Sequence, residues 1–187
     1  VTVEAITSRI DAEKCTMCGA CVRVCPYGAI TKASKKEGIL PVVIEASCAG
    51  CGTCGPACLF DAVTMQHFTD AQIESQVDAI LAENPEDKVL TFACNWCSYP
   101  GGDSAGVARL QYPTSPRLIR TMCSGRVDEK FVWRGFELGA PVVLVSGCHF
   151  SDCHYINANH QTEKRVQRLW RKMARRGVNK DRLRLAW

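Results

Sequence analysis

The chain has no long apolar run. Stretches such as Pro141 to Val145 fall far short of the ~20 residues that a membrane-spanning helix needs, so no direct membrane span is expected. Val1 to Ile10 has no apolar core of the kind a cleavable signal peptide carries. The sequence does not begin with Met, and it ends in Asp181-Arg-Leu-Arg-Leu-Ala-Trp187, which reads as a strand cut short. Both features create the expectation of a fragment of a longer polypeptide. Neither G-x-G-x-x-G nor a Walker pattern is present, and Gly101-Gly102-Asp103-Ser104-Ala105-Gly106 reads as a glycine turn rather than a phosphate loop. No nucleophile–base pair, substrate-pocket signature or flavin fingerprint stands out, so no catalytic residue is expected. The hydrophobic fraction of 47% and charged fraction of 22% are those of an ordinary globular protein.

What the chain has is cysteine, 13 of its 187 residues. A chain of this length buries a core without disulfide staples. The count is odd and the spacings are tight. These features point to reduced thiols on metal in a cytoplasmic setting rather than to a secreted disulfide scaffold. Eight of the thirteen lie in two runs of the form C-x2-C-x2-C-x3-C, Cys15 to Cys25 and Cys48 to Cys58, offset by 33 residues. Each run ends in a similar phrase, Tyr27-Gly-Ala-Ile30 and Phe60-Asp-Ala-Val63. A duplicated unit this small, with few large apolar residues, needs something other than burial to supply its core, and bound metal is the usual answer.

A C-x2-C-x2-C loop wraps one iron–sulfur cubane, and the fourth Cys of the run reaches the other cluster. By that rule Cys15, Cys18, Cys21 and Cys58 hold one [4Fe–4S] cluster, and Cys48, Cys51, Cys54 and Cys25 hold a second. Gly19, Gly50 and Gly52 allow close backbone approach to sulfide. Pro26 completes the first motif, whereas the second has Leu59 where Pro is usual and carries Pro56 inside the loop. All-thiolate zinc requires two C-x2-C pairs set further apart. The segment resembles bacterial-type two-cluster ferredoxins over residues 3–68.

Beyond it, Thr69 to Glu83 reads as a helix, with Ile73, Val77, Ile80 and Leu81 on one stripe, a Thr69/Gln72 capping box and an Asn84-Pro85 stop. It is expected to connect two domains, 1–68 and 88–187, with 69–87 as helix and linker. From Lys88 strands alternate with helices. Strands are expected at 88–93, 117–122, 142–146 and 182–187, the third buried on both faces. Helices are expected at 102–110, 128–138 and 159–176. Such alternation implies a parallel sheet. The expected fold is an α+β ferredoxin-like two-cluster domain followed by an α/β parallel-sheet domain with helices packed on the sheet.

Five cysteines remain. Cys94, Cys123 and Cys148 each follow a predicted strand, and Cys97 and Cys153 lie further along the same loops. In an open parallel sheet ligands bind beyond the carboxyl ends of the strands, so five thiols crowd one edge. A [2Fe–2S] cluster on four of the five accounts for them best. Zinc, a C-x2-C dithiol at Cys94/Cys97 and scattered core thiols are the alternatives. Phe92-Ala-Cys-Asn-Trp-Cys-Ser-Tyr99, Thr121-Met-Cys-Ser-Gly-Arg-Val127 and Ser146-Gly-Cys-His-Phe-Ser-Asp-Cys-His-Tyr155 resemble the delta subunit of methyl-viologen-reducing hydrogenase. The ferredoxin segment with His67-Phe-Thr-Asp-Ala-Gln-Ile73 resembles the C-terminal end of the A-type subunit of heterodisulfide reductase. The resemblance implies a fusion of these two pieces and a [2Fe–2S] cluster in the second domain. It also implies an electron relay between a hydrogenase or formate dehydrogenase and a flavin-containing component of the heterodisulfide reductase type. A ferredoxin-coupled thiol–disulfide reductase using Cys94/Cys97, and a ferredoxin docked by a structural zinc module, are the competing functions.

Weaker signals have ordinary readings. His149, His154 and His160 lie near the third group of cysteines, but their spacing is not that of a Rieske site. Trp96 and Trp133 read as core or cluster-shielding aromatics. Residues 160–187 hold ten Lys/Arg against two acids, leaving 13 basic and 17 acidic side chains elsewhere. The basic helix, carrying Lys164, Arg165, Arg168, Arg171, Lys172, Arg175 and Arg176, lacks the stacking positions or module that nucleic-acid binding requires. No nucleic-acid partner is expected.

Overall fold

The computed structural model describes residues 5–187. The first four positions of the expected 1–68 domain, and with them the start of the Val1 to Ile10 segment, lie outside the described residues. Near the N-terminus, β1 (Ser8–Ile10) pairs antiparallel with β2 (Val63–Met65), Arg9 facing Thr64. Between them each cysteine run opens into one short helix, α1 (Ala20–Val24) and α2 (Cys54–Ala57). Antiparallel bridges join Ile30 to Val43 and Ser34 to Ile39. The interior of this small ferredoxin-like region is half sulfur, because its buried apolar cluster is Cys21, Ile30, Cys54 and Val63.

Helix α3 (Asp70–Leu81) starts on a complete capping box. Thr69 Oγ1 accepts from the Gln72 amide at 3.2 Å, and Gln72 Oε1 accepts from the Thr69 amide at 2.9 Å. Asn84 in the left-handed region (φ 42°) and Pro85 turn the chain away after it. The apolar stripe Ile73, Val77 and Leu81 does not close on the ferredoxin side. It enters the core of the sheet that follows.

That sheet is parallel, in the order β4 (Pro116–Thr121), β3 (Val89–Cys94), β5 (Val142–Ser146), β6 (Leu183–Ala186). The crossovers are α4 (Ser98–Val107), α5 (Glu129–Glu137) and α6 (Ala158–Arg175). Register sets Phe92 beside Ile119 and Val145, and Val143 beside Leu183. These residues form one face, which packs with Ile73 and Val77 of α3, Phe131 and Val132 of α5, and Val166, Leu169 and Met173 of α6. The opposite face meets α4, where Ser98 Oγ lies 2.7 Å from Ser146 Oγ.

Two expectations are corrected here. The strand buried on both faces is β3, closed from Leu90 through Cys94. In β5 only Val143 and Val145 are buried, because α4 packs mainly over β3 and meets β5 at its end, through Ser146. Gly101 to Gly106 is not a turn but the body of α4. That helix starts earlier than its composition suggests, because Pro100 falls in the first turn, where its missing N–H removes no bond. The Gly101 amide then donates to the Cys97 carbonyl at 2.8 Å.

Ion pairs tie the ferredoxin side to α5 and to the short 3₁₀ turn Ser124–Arg126. Arg126, 1% exposed, donates through Nε to the Phe68 carbonyl at 3.0 Å and through Nη2 to Asp70 at 2.5 Å. Lys130 Nζ reaches Asp61 and Asp70, both at 2.7 Å, and Arg134 pairs with Asp78. Burial pushes the Asp70 carboxyl up, but hydrogen bonds and charge from Lys130 and Arg126 outweigh it and hold Asp70 below the usual carboxylate range.

Because α3 shares its core with the sheet, Ile73→Ala is expected to cost about 2–5 kcal/mol, read by denaturant unfolding of the metal-loaded protein. A helix acting only as a tether would lose nothing. A carboxyl with a depressed folded pKa stabilises the fold above its unfolded pKa and loses that contribution as pH falls through the depressed value. Unfolding followed below pH ~4 is therefore expected to show a shallower acid-side loss in Asp70→Asn than in the parent protein.

Candidate metal centres

The structure gathers the thirteen cysteines into three sets. Cys15, Cys18, Cys21 and Cys58 line one pocket with Ile10, Pro41, Phe60 and Val63. Cys25, Cys48, Cys51 and Cys54 line a second with Ser8, Tyr27 and Ile30. Each set takes three thiols from one run and one from the other. The crossing follows from α1 and α2 packing side by side, which carries the last Cys of each run over to the opposite loop.

The second pocket is cut closely. Gly50 and Gly52 hold φ of 72° and 73°, where a side chain is strained. A Cβ on Gly50 would lie 2.4 Å from the Ile6 carbonyl oxygen, and one on Gly52 would lie 2.5 Å from Met65 Sδ. Ser8 Oγ lies 3.0 Å from Cys54 Sγ. Burial pushes the Cys54 thiol up to about 12 and raises Cys21 and Cys51 as well. Buried thiols of this kind ionise only beside a cation. Cys51 and Cys54, with Cys25 and Cys48 around the same apolar pocket, make up the four-thiol donor set a cubane needs, so the residues present fit that group.

The third set lies at the carboxyl ends of the sheet strands. Chain order reverses between β3 and β5, and a ligand crevice forms at such a switch point. Cys94 ends β3 and Cys148 follows β5, their sulfurs 3.9 Å apart. Cys97 joins them, so that the three sulfurs lie within 4.8 Å of one another. The Cys123 thiol links to Cys94 on one side and Cys153 on the other. Its hydrogen bonds pull both neighbours down to about 5 and leave Cys123 itself well above its ordinary value. Cys148 is pushed up to about 12 by burial. Cys94, Cys97 and Cys148 thus form a compact trio, with Cys123 and Cys153 next to it. Two thiolates for each of two irons can be drawn from these five.

The second and third sets are neighbours. Cys51, Cys123, Tyr155 and Ala158 form one buried cluster, with Tyr27 and Cys153 against it. A Cβ on Gly125 would lie 2.3 Å from Thr53 Oγ1, so the loop after Cys123 rests directly on the loop after Cys51. Tyr155, 3% exposed, accepts from Trp96 Nε1 at 2.8 Å, and Trp96 stacks on His154 at 3.7 Å. Sequence reasoning singles out Trp96 but misses Tyr155, Tyr27 and Gly125, whose importance comes from a contact between distant segments.

Other candidates are engaged elsewhere. The His160 ring packs on Phe150, and Trp133 lies under Arg176. On the basic helix α6, Lys172 pairs with Glu129, and Arg165 is buried with Nη1 donating to the Val127 carbonyl at 2.7 Å. Burial pulls Arg165 down to about 10. Among the described residues no helix is long and apolar enough to cross a membrane.

The family described as methyl-viologen-reducing hydrogenase, delta subunit, matches residues 89–187, and the 4Fe-4S binding domain matches residues 8–31. The A-type subunit of the ferredoxin:CoB-CoM heterodisulfide reductase of Methanosarcina mazei is 44% identical over 181 residues, covering 96% of this chain and 22% of its own. The vhc iron-sulfur D-type subunit of the F420-non-reducing hydrogenase of Methanococcus voltae is 46% identical over 107 residues, 57% of this chain and 74% of its own. The corresponding D-type protein of Archaeoglobus profundus is 37% identical over 107 residues, 57% of this chain and 78% of its own. The chain spans about a fifth of the length of the heterodisulfide reductase relatives it matches.

Gly52→Ala is expected to lower the melting temperature and to release iron from the purified protein. Gly38→Ala, at a similar φ of 67° but in open space, is expected to keep its iron. Equal behaviour of the two variants would mean that packing around the second pocket is not what matters.

Proposed function

The chain belongs to the methyl-viologen-reducing hydrogenase delta-subunit family, and from that premise we propose that it is an iron–sulfur electron relay built as two joined domains, 1–68 and 88–187, with 69–87 between them. In this reading Cys15, Cys18, Cys21 and Cys58 hold one [4Fe–4S] cluster, Cys25, Cys48, Cys51 and Cys54 hold a second, and four of Cys94, Cys97, Cys123, Cys148 and Cys153 hold a [2Fe–2S] cluster. Bound clusters of these kinds accept and release one electron at a time. The partners are a flavoprotein of the heterodisulfide reductase type on one side and a hydrogenase or formate dehydrogenase on the other. The chain works in the cytoplasm and catalyses no reaction of its own.

The observation that carries this reading is the contact between the second and third sulfur sets. The protein itself supplies the thiolates, sets their spacing through the Gly125–Thr53 contact, and excludes water between them. Tyr27 and Tyr155 fill the gap, and burial pushes both phenols up to about 12, which keeps them neutral. Water exclusion and hydrogen bonding to sulfur are the means by which a protein tunes such centres.

A second reading, a thiol–disulfide reductase, is favoured by the closeness of the Cys94 and Cys97 sulfurs. Metal and sulfide analysis with EPR on anaerobically purified protein separates the two. The relay predicts about ten iron per chain and a [2Fe–2S] signal. About eight iron with two titratable thiols supports the reductase, and about eight iron with one zinc supports a structural zinc module.

A further inference from the structure

Among the described residues Arg126 is the largest fully buried side chain, and neither pocket lining nor ligand geometry accounts for it. A buried guanidinium is costly unless it is paired, and this one is only partly satisfied. Nε and Nη2 reach the Phe68 carbonyl and Asp70, and the guanidinium lies 5.1 Å from the centre of the Phe131 ring. Among the described residues, Nη1 is buried with no hydrogen-bond partner. The side chain is laid along the loop of the second cysteine set. A Cβ on Gly52 would lie 2.7 Å from Arg126 Cδ, and one on Gly55 would lie 3.6 Å from Nη1. Gly52 stands between Cys51 and Cys54, and Gly55 directly follows Cys54. Arg126 is also three residues past Cys123 of the third set. A full positive charge is therefore held, out of water, against the loop of the middle sulfur set. Its counter-charge, Asp70, is turned toward solvent at 30% exposure and shared with Lys130.

We propose that Arg126 sets the reduction potential of the second cubane site, with Asp70 moderating it, so that electrons settle on the centre that adjoins the third set. This rests on reading Cys25, Cys48, Cys51 and Cys54 as cluster ligands. The physics is one of sign. Reduction adds one negative charge to the centre. A desolvated cation beside it favours the reduced form, and little solvent intervenes to screen the effect. Removing the cation lowers the potential. Removing the carboxylate, which offsets the cation, raises it. A purely structural Arg126 has no reason to move the potential in opposite directions in the two variants.

The test is an EPR-monitored redox titration of the loaded protein, with Cys18→Ser used to assign the signal of the first set. Arg126→Gln is expected to shift the second site's midpoint downward, by about tenfold in the reduced-to-oxidised ratio, equivalent to about 59 mV for one electron. Asp70→Asn is expected to shift it upward, Arg126→Lys to restore it, and the first site to stay where it is in all three. Unmoved midpoints, or shifts of one sign in both variants, overturn the proposal. If Arg126→Gln takes up no iron, Asp70→Asn decides alone, and an unmoved or lowered midpoint there is contrary. Failure of the ligand reading looks different, because the parent protein would then show no second cubane signal to titrate.

Discussion

A thiolate taken out of water needs a positive charge beside it, and the rest of this structure depends on that requirement. The ferredoxin-like region has too few large apolar residues to form a core by burial. Cys21 and Cys54 stand in that core where aliphatic side chains would otherwise be, and burial raises the pKa of both thiols. In the bare chain these thiols favour the neutral form, and bound metal makes the same positions a source of stability. On the proposed cluster reading, folding and metal binding are in this sense one event for the N-terminal region. The parallel-sheet region has a conventional apolar core of its own, built on Leu90, Phe92, Phe131 and Val143.

The two regions meet where the chemistry requires it. Small residues, Gly52 and Gly125, let two loops approach until no Cβ fits between them. An ion network of Asp61, Asp70, Arg126 and Lys130 fixes the register of that approach. Exposed ion pairs contribute little to stability, but here one partner is fully buried, and breaking a pair of that kind leaves an uncompensated charge. Helix α3 strengthens the same junction by placing Ile73 and Val77 in the sheet core. The spacing of the sulfur sets is thus a property of packing rather than of a flexible tether.

Much of this is legible in the sequence, for identifiable reasons. Strand–helix alternation after Lys88 shows because core residues recur at their periods, and Thr69 with Gln72 marks a helix start through a local bond pair. The grouping of Cys58 with the first run, and of Cys25 with the second, is expected from the rule for such runs, whose fourth Cys reaches the other cluster. What escapes depends on contacts between remote segments. Nothing near Arg126 in the chain reveals that Gly52 and Phe68 enclose it, and Tyr155 gives no sign of its place between Cys51 and Cys123. The helix expected at 102–110 is placed too late and its first glycines read as a turn, because glycine is a poor helix former; the start at Ser98 and the packing of Gly102 toward Leu118 are invisible to local propensity. The strand covered on both faces is mistaken for a related reason. Val142 to Ser146 is apolar enough for either role, and only the position of α4 decides between it and its neighbour.

On the proposed relay, the second and third cysteine sets, which lie against each other with Tyr27 and Tyr155 between them, hold neighbouring clusters. Stepwise reduction followed by EPR tests it most directly. The account predicts a simple third-centre signal while the neighbouring cubane is oxidised. Once that cubane is reduced, the signal broadens or splits through spin–spin interaction. A third-centre signal of the same shape and relaxation at both stages would contradict it.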